Sequence, residues 1–189
     1  MDGTGQCGSS QDLNRRHGIA PPTQLEIRFA GPNDVSAIAR ILHDSFVEFK
    51  SLYTDPGFAA TVPPPEQILV RMKEGPVWVA LSKRQIIGTV AAVIKGKSVY
   101  IRGMAVLPST RGIGAGRALL QHVEDWAASQ ARSHLFLSTT PFLHSAIRLY
   151  EAAGFRRAAS DPRDLFGTPL FLMEKNLPES PPRIRDTST

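Results

Sequence analysis

Apolar and polar positions alternate with a period of two over "TQLEIRFA", where Leu25, Ile27 and Phe29 share one side and predict a half-buried strand. The period then changes. Val35, Ile38, Ile41, Leu42, Phe46 and Phe49 recur at helical spacing, with Asn33 or Asp34 placed to cap the helix. "KSLYTDPGFAATVPPP" breaks that period and reads as a long, aromatic-bearing loop. "PEQILVRMKEG" opens on Pro and closes on Gly, as a short helix does.

Three strand patterns follow, "VWVALSK", "IIGTVAAVIK" and "SVYIRGMAVL", joined by turns short enough for an antiparallel meander. Leu119, Leu120, Val123, Trp126 and Ala127 then form one stripe of an amphipathic helix. "HLFLSTT" predicts a strand, and "PFLHSAIRLYEAAG" a helix ending at Gly154. "FRRAA" and "TPLFLMEK" predict the last strands, with "SDPRDLFG" as their link. The order β-α-α-β-β-β-α-β-α-β-β implies an α/β fold, a mixed central sheet with helices on both faces.

Composition places the ends outside this pattern. Residues 1–22 are rich in Gly, Ser and Gln and read as a disordered leader; residues 176–189 read as a flexible tail, leaving 23–175 as one folded domain. The 189 residues are 42% hydrophobic and 21% charged, ordinary for a globular chain. Cys7 is the only cysteine, which excludes an internal disulfide framework and any multi-cysteine metal site and favours a reducing, cytoplasmic setting. No apolar run reaches membrane-spanning length.

Charge changes the picture more. Both ends are neutral, so the net +5 belongs to the folded part. The basic residues are scattered, without runs or interleaved aromatics, so a small anionic ligand suits them better than nucleic acid.

The place for such an anion is "STRGIGAGRALL". A P-loop needs Lys and Ser/Thr after its last glycine, and here Arg117 and Ala118 follow Gly116. A dinucleotide fingerprint needs a glycine where Arg117 stands, and an acidic residue that "HLFLSTT" does not supply. R-x-x-G-x-G is satisfied by Arg111, Gly114 and Gly116. Glycines there let backbone N–H groups turn to an anion at the positive end of the following helix. A glycine-bearing helix cap beside an exposed arginine is the plainer reading of the same residues.

With "YIRGMAVLP" before it and "LYEAAGF" after it, this stretch resembles the GCN5-related N-acetyltransferases over about Ile27 to Glu174. The resemblance implies the acyl-CoA N-acyltransferase fold, acetyl-CoA as acyl-donor cosubstrate, no metal, and an acetyltransferase acting on a primary amine of a small molecule or an exposed protein amine. It implies no nucleic-acid or membrane partner, and dimers are common in the family. It places the pyrophosphate on Arg111, Gly112, Ile113, Gly114, Ala115, Gly116 and Arg117. The donor carbonyl falls to an amide of Met104, Ala105 or Val106, in a strand that Gly103 bulges. Tyr150, the tyrosine of "LYEAAGF", becomes the acid toward sulfur.

Two departures accompany the resemblance. Leu143 stands where many members carry a cofactor-contacting Asn, with His144 beside it, and the central strand offers Arg102 but no carboxylate to act as base. Glu48 and Asp55 are the remaining carboxylate candidates. Substrate selection is expected from Tyr53 and Phe58, with Glu48 and His144 near them, while Phe46 and Phe49 read as core. Asp164 is a candidate for placing a cationic amine. A non-catalytic acyl-CoA-binding sensor is the alternative function.

Overall fold

A computed structural model describes residues 25–159 and 163–178. The expected leader, and the tail from residue 179, lie outside the described residues. Strand β1 (Leu25–Phe29) leads through a short 3-10 turn (Pro32–Asp34) into α1 (Val35–Phe46). A second 3-10 segment (Val47–Leu52), α2 (Asp55–Thr61) and α3 (Pro65–Met72) follow. The meander is β2 (Val77–Ser82), β3 (Gln85–Lys95) and β4 (Ser98–Val106). After a 3-10 turn (Pro108–Thr110) come α4 (Ala115–Ser129), β5 (His134–Thr139) and α5 (His144–Ala152). The described chain closes with β6 (Arg156–Arg157), β7 (Arg163–Leu165) and β8 (Thr168–Asn176).

The sheet runs β1-β2-β3-β4-β5-β8-β6, with β7 paired to β8. Every pairing is antiparallel except β4 with β5. Strand alternation splits the core into two layers. Trp78, Ala80, Ile87, Val90, Val99 and Ile101 pack with Leu119, Leu120 and Val123 of α4. Val77, Val79, Leu81 and Ala91 pack on the other side with Ile38, Ile41 and Leu42 of α1 and Ile68 of α3.

Two readings of the sequence are corrected. The segment after α1 is not a loop: it tightens into 3-10 turns and then makes α2. There Thr54 caps the helix, its Oγ1 accepting from Gly57 N at 3.1 Å, and Pro56 fits the first turn. "SDPRDLFG" is not only a link either, since β7 forms a hairpin with β8. Thr54 pins α2 to that hairpin, donating from N to Thr168 Oγ1 at 3.0 Å and from Oγ1 to Phe166 O at 2.8 Å. Asp34 does sit at the start of α1, yet its carboxylate turns back to Gly31 N (2.8 Å) and to both Arg28 Nη atoms (2.7 and 2.9 Å). The Arg28 guanidinium holds that carboxyl below the usual range.

Candidate active site

The centre of the site is where β4 and β5 part. Their parallel register runs from Ser98↔His134 to Ile101↔Leu137 and stops. Beyond it, β5 stays with β8 through Thr139↔Phe171, while β4 stays with β3 through Val106↔Gly88. A bulge makes the parting possible. Thr89 pairs with Ala105 but Ala91 with Arg102, so β4 carries one extra residue there. Gly103 occupies the bulge at φ +58°, a left-handed angle that side chains resist. The extra residue also resets the alternation, so Ile101 and Met104 both face the α4 layer.

The open edge leaves backbone groups without a strand partner. Leu107 N donates to Ile87 O at 2.8 Å, which makes 107 and 87 a hydrogen-bonded pair. Alternation then turns Val106 away from β3, and Ser45 Oγ donates to its carbonyl at 3.1 Å. Met104 shares that outward sense. Ala105, paired with Thr89, turns its N–H toward β3 instead. Of the three expected amides, those of Met104 and Val106 face the gap.

The gap opens into a cleft of about 840 Å³. At one end lies the glycine loop. Gly112 (φ +87°) and Gly114 (φ +89°) both adopt left-handed backbone, with open space where a Cβ would stand. They are required for backbone direction rather than for room. Gly116 has a different reason: a Cβ there would meet Leu149 Cδ2 at 3.0 Å, so its lack of a side chain lets α4 lie close to α5. Ala115 is buried and begins the 15-residue α4, whose first N–H groups have no intrahelical acceptor. Arg111 and Arg117 flank the loop and line the cleft. Ile113 does not; its side chain is exposed outside the lining, so only its backbone belongs to the loop. Arg111 Nη2 meets Glu48 Oε1 at 2.7 Å, with both side chains nearly half exposed.

Tyr150 stands between the two ends. It is 7% exposed, lines the cleft and packs beside Phe155. Burial, and then the neighbouring Tyr100, push its phenol above the ordinary tyrosine value. Leu143 occupies the N-cap position of α5 without a side-chain cap, and His144 begins that helix, exposed at the cleft wall.

The far end is built from side chains. Tyr53 meets Phe142 edge-on at 4.9 Å, and Phe49 stacks on Phe142 at 6.3 Å. Burial raises the Tyr53 phenol, with the hydroxyls of Thr140 and Thr61 opposing it. Phe46, the last residue of α1, and Phe49 both line the cleft rather than only filling the core; Phe49 lies in the 3-10 segment that begins at Val47, where the chain leaves the α-helical path. Phe58 does not line the cleft; it buttresses Tyr53 at 5.9 Å. Glu48 is likewise outside the lining, drawn to Arg111, and Asp55 lies exposed at the start of α2. Asp164 accepts from Gly167 N at 2.7 Å and shapes the β7–β8 turn. Arg71 and Arg102 line this end, and the sequence reading passed over Arg71 entirely. Among the described residues, no carboxylate lines the cleft.

The profile of the Acetyltransferase (GNAT) family matches residues 37–155. The chain is similar to the probable N-acetyltransferase family 8 member 5 of Mus musculus, 35% identical over 89 residues, covering 44% of this chain and 39% of that protein. It is similar to the N-acetylaspartate synthetase of Danio rerio, 38% identical over 82 residues, covering 42% of this chain and 29% of that protein. The chain thus spans well under half the length of these curated relatives. Its fold is similar to that of the PaiA N-acetyltransferase from Thermoplasma acidophilum in complex with coenzyme A, with TM-score 0.69 and 18% identity over 81% of this chain and 99% of that one.

Proposed function

The chain belongs to the acetyltransferase (GNAT) family, and on that premise we propose that it moves an acetyl group from acetyl-CoA to a primary amine, by direct attack in a ternary complex. One observation carries the reading. The glycine loop with its two left-handed glycines, the first turn of α4 and two arginines open on the same cleft as a buried, unionised tyrosine.

The loop fits coenzyme A. A pyrophosphate needs several N–H donors within reach, no Cβ in the way and positive charge beside it. Gly112 and Gly114 leave open space, α4 presents its free N–H groups, and Arg111 and Arg117 supply charge. The Glu48–Arg111 pair is no obstacle, since a half-exposed pair is worth about 0–1 kcal/mol.

When bound, acetyl-CoA supplies an activated thioester carbonyl. The chain's own residues do the rest. The outward amides of Val106 and Met104 polarise the carbonyl oxygen as the amine adds. Tyr150 keeps its proton, and its raised pKa limits what it can do with it. A thiol near pKa ~8.5 is a stronger acid than this phenol. Full proton transfer from Tyr150 Oη to sulfur is therefore uphill, and the residue acts by donating a hydrogen bond to the departing thiolate. The amine loses its proton to water, since among the described residues no carboxylate lines the cleft and His144 is the only imidazole on its lining.

That lack of a carboxylate favours the second reading, a non-catalytic acyl-CoA sensor. Calorimetric titration of acetyl-CoA, beside an Arg111→Glu, Gly114→Val double variant, tests the cradle; thiol release with an amine panel then separates enzyme from sensor. No binding to the wild type overturns both readings, and binding without turnover leaves only the sensor.

A further inference from the structure

The cleft carries two pairs of arginines, and only one has a use so far. Arg111 and Arg117 belong to the glycine loop. Arg71 on α3 and Arg102 on β4 line the other end, beside Phe49, Tyr53, Tyr100 and Phe142. Arg102 Nη1 donates to Glu74 Oε2 at 3.0 Å and Nη2 to Arg71 O at 3.2 Å. Its Nε–H is buried with no partner among the described residues. Arg71 makes one hydrogen bond, from Nη2 to Ala60 O at 3.0 Å, and meets no carboxylate within ion-pair distance among the described residues.

Two guanidiniums thus share one carboxylate, that of Glu74, whose side chain is 42% exposed. One positive charge is left uncompensated in a half-buried wall of the cleft. A buried donor without an acceptor and a cation without a counter-ion are both costly, and proteins rarely keep them without use. Burial and the charge of Arg102 both push the Arg71 pKa down, which an anion alongside would offset.

We propose that the acceptor is an amine that also carries a carboxylate, an amino acid or a close analogue, with the carboxylate seated on Arg71 and Arg102 and an apolar side chain against Phe49, Tyr53 and Phe142. This rests on the acetyl-transfer reading and narrows it. A planar guanidinium matches a carboxylate with paired N–H···O bonds, which an ammonium or a neutral amide does not offer. The same charge disfavours polyamines and lysine-rich segments, because their second cation would face Arg71 with no carboxylate on the lining, among the described residues, to receive it.

The test compares apolar and acidic L-amino acids, each with its decarboxylated amine and its amide, by thiol release at saturating acetyl-CoA. L-phenylalanine, phenethylamine and phenylalaninamide form one such set. The amide has the least basic amine and the decarboxylated compound the most basic, so amine ionisation alone cannot produce a preference for the acid. Acids are expected to exceed both partners about tenfold or more in kcat/KM, as a charge-assisted hydrogen-bonded contact supplies. Arg71→Met should erase that preference through KM with the calorimetric Kd for acetyl-CoA unchanged, and Arg71→Lys should restore part of it. Turnover in which amines or amides equal the acids overturns the inference and leaves the acetyltransferase standing. A protein that binds acetyl-CoA yet acetylates no member of the panel overturns the inference as well, and leaves the sensor reading. Absence of acetyl-CoA binding removes the acetyl-transfer reading itself, and the inference with it.

Discussion

The two ends of the cleft are built from different materials. At the glycine-loop end the backbone forms the surface: left-handed Gly112 and Gly114, the free N–H groups of α4 and the open edge of β4. At the far end side chains form it, drawn from the 3-10 segment (Phe49), the α2 approach (Tyr53), α3 (Arg71), β4 (Arg102) and the β5–α5 turn (Phe142). A backbone surface depends on torsion angles, so few residue types satisfy it and its sequence is short and contiguous. A side-chain surface tolerates exchange at every position, because each contributor sits on an element whose place is held by other contacts. On the proposed function, the glycine-loop end therefore suits a constant ligand, and the far end is where specificity can change without disturbing the fold.

Breaking the backbone end should have the largest effect. Arg111→Glu with Gly114→Val reverses one charge and puts a β-branched residue at φ +89°, where left-handed backbone costs about 1–2 kcal/mol even for an unbranched side chain. Acetyl-CoA binding should fall at least a hundredfold in calorimetry. Circular dichroism should remain native, because no Cβ contact is disturbed at Gly114.

Tyr150→Phe cuts between the two ends. It removes the hydrogen bond to sulfur that the proposed function assigns to this hydroxyl while keeping the ring packed, so kcat should drop by roughly a hundredfold with Kd for acetyl-CoA held. It also has a pH signature. Burial raises this phenol, so its contribution to stability is complete below the unfolded value near ~10 and is lost as pH climbs from there toward the raised value. Alkaline unfolding, followed by fluorescence, should set in more gradually in the Phe variant.

Gly116→Ala separates packing from cradle. Its new methyl would press Leu149 at 3.0 Å, so a fall of a few degrees in Tm is expected, where Gly114→Ala should weaken acetyl-CoA binding instead. Equal effects of the two changes would show that the loop glycines share one role. The smallest effect belongs to Glu48→Gln, which frees Arg111 from its 2.7 Å partner. Acetyl-CoA should bind two- to fivefold more tightly, the worth of an exposed pair, and the gain should shrink as salt rises.

Trp78 and Lys175 lie away from both ends and show what the scaffold rests on. Trp78 is fully buried against Trp126 at 5.4 Å and His122 at 5.3 Å. Lys175 Nζ holds the buried Glu124 at 2.7 Å, tying β8 to α4. Neither reaches the cleft, and substitution at either is expected to alter stability without altering the selectivity of the acceptor end.

Residues close in the chain made much of this legible. The meander, the amphipathic α4, the bulge at Gly103 and the arginine–glycine loop all follow from periodicity and from residues within a few positions of one another. The α2 turn was missed because Thr54, its cap, is held by Thr168 and Phe166 more than a hundred residues away. Phe49 was assigned to the core because the helical period continues through it, and the tightening at Val47 that turns it to the cleft leaves no mark in that period. Phe58 and Glu48 were placed by proximity to the right loop, but Tyr53 covers one and Arg111 captures the other. Arg102 was visible as an odd charge in an apolar strand. Arg71 was not, since an arginine on a short helix is ordinary until the sheet is laid beneath it.

By itself, the sequence determined the order of the larger elements, the helices on both faces of the sheet and the glycine loop ahead of α4. Each depends on local torsion preference or on a hydrophobic period that a single segment expresses. Only the tertiary structure decided that Arg71 joins Arg102, that the aromatic side chains line the same cleft, and that no carboxylate reaches the lining among the described residues. Those facts depend on how far apart β4 and β5 stand and on which helix face the sheet leaves uncovered. Burial and charge compensation are properties of that assembled neighbourhood, and no single segment carries them.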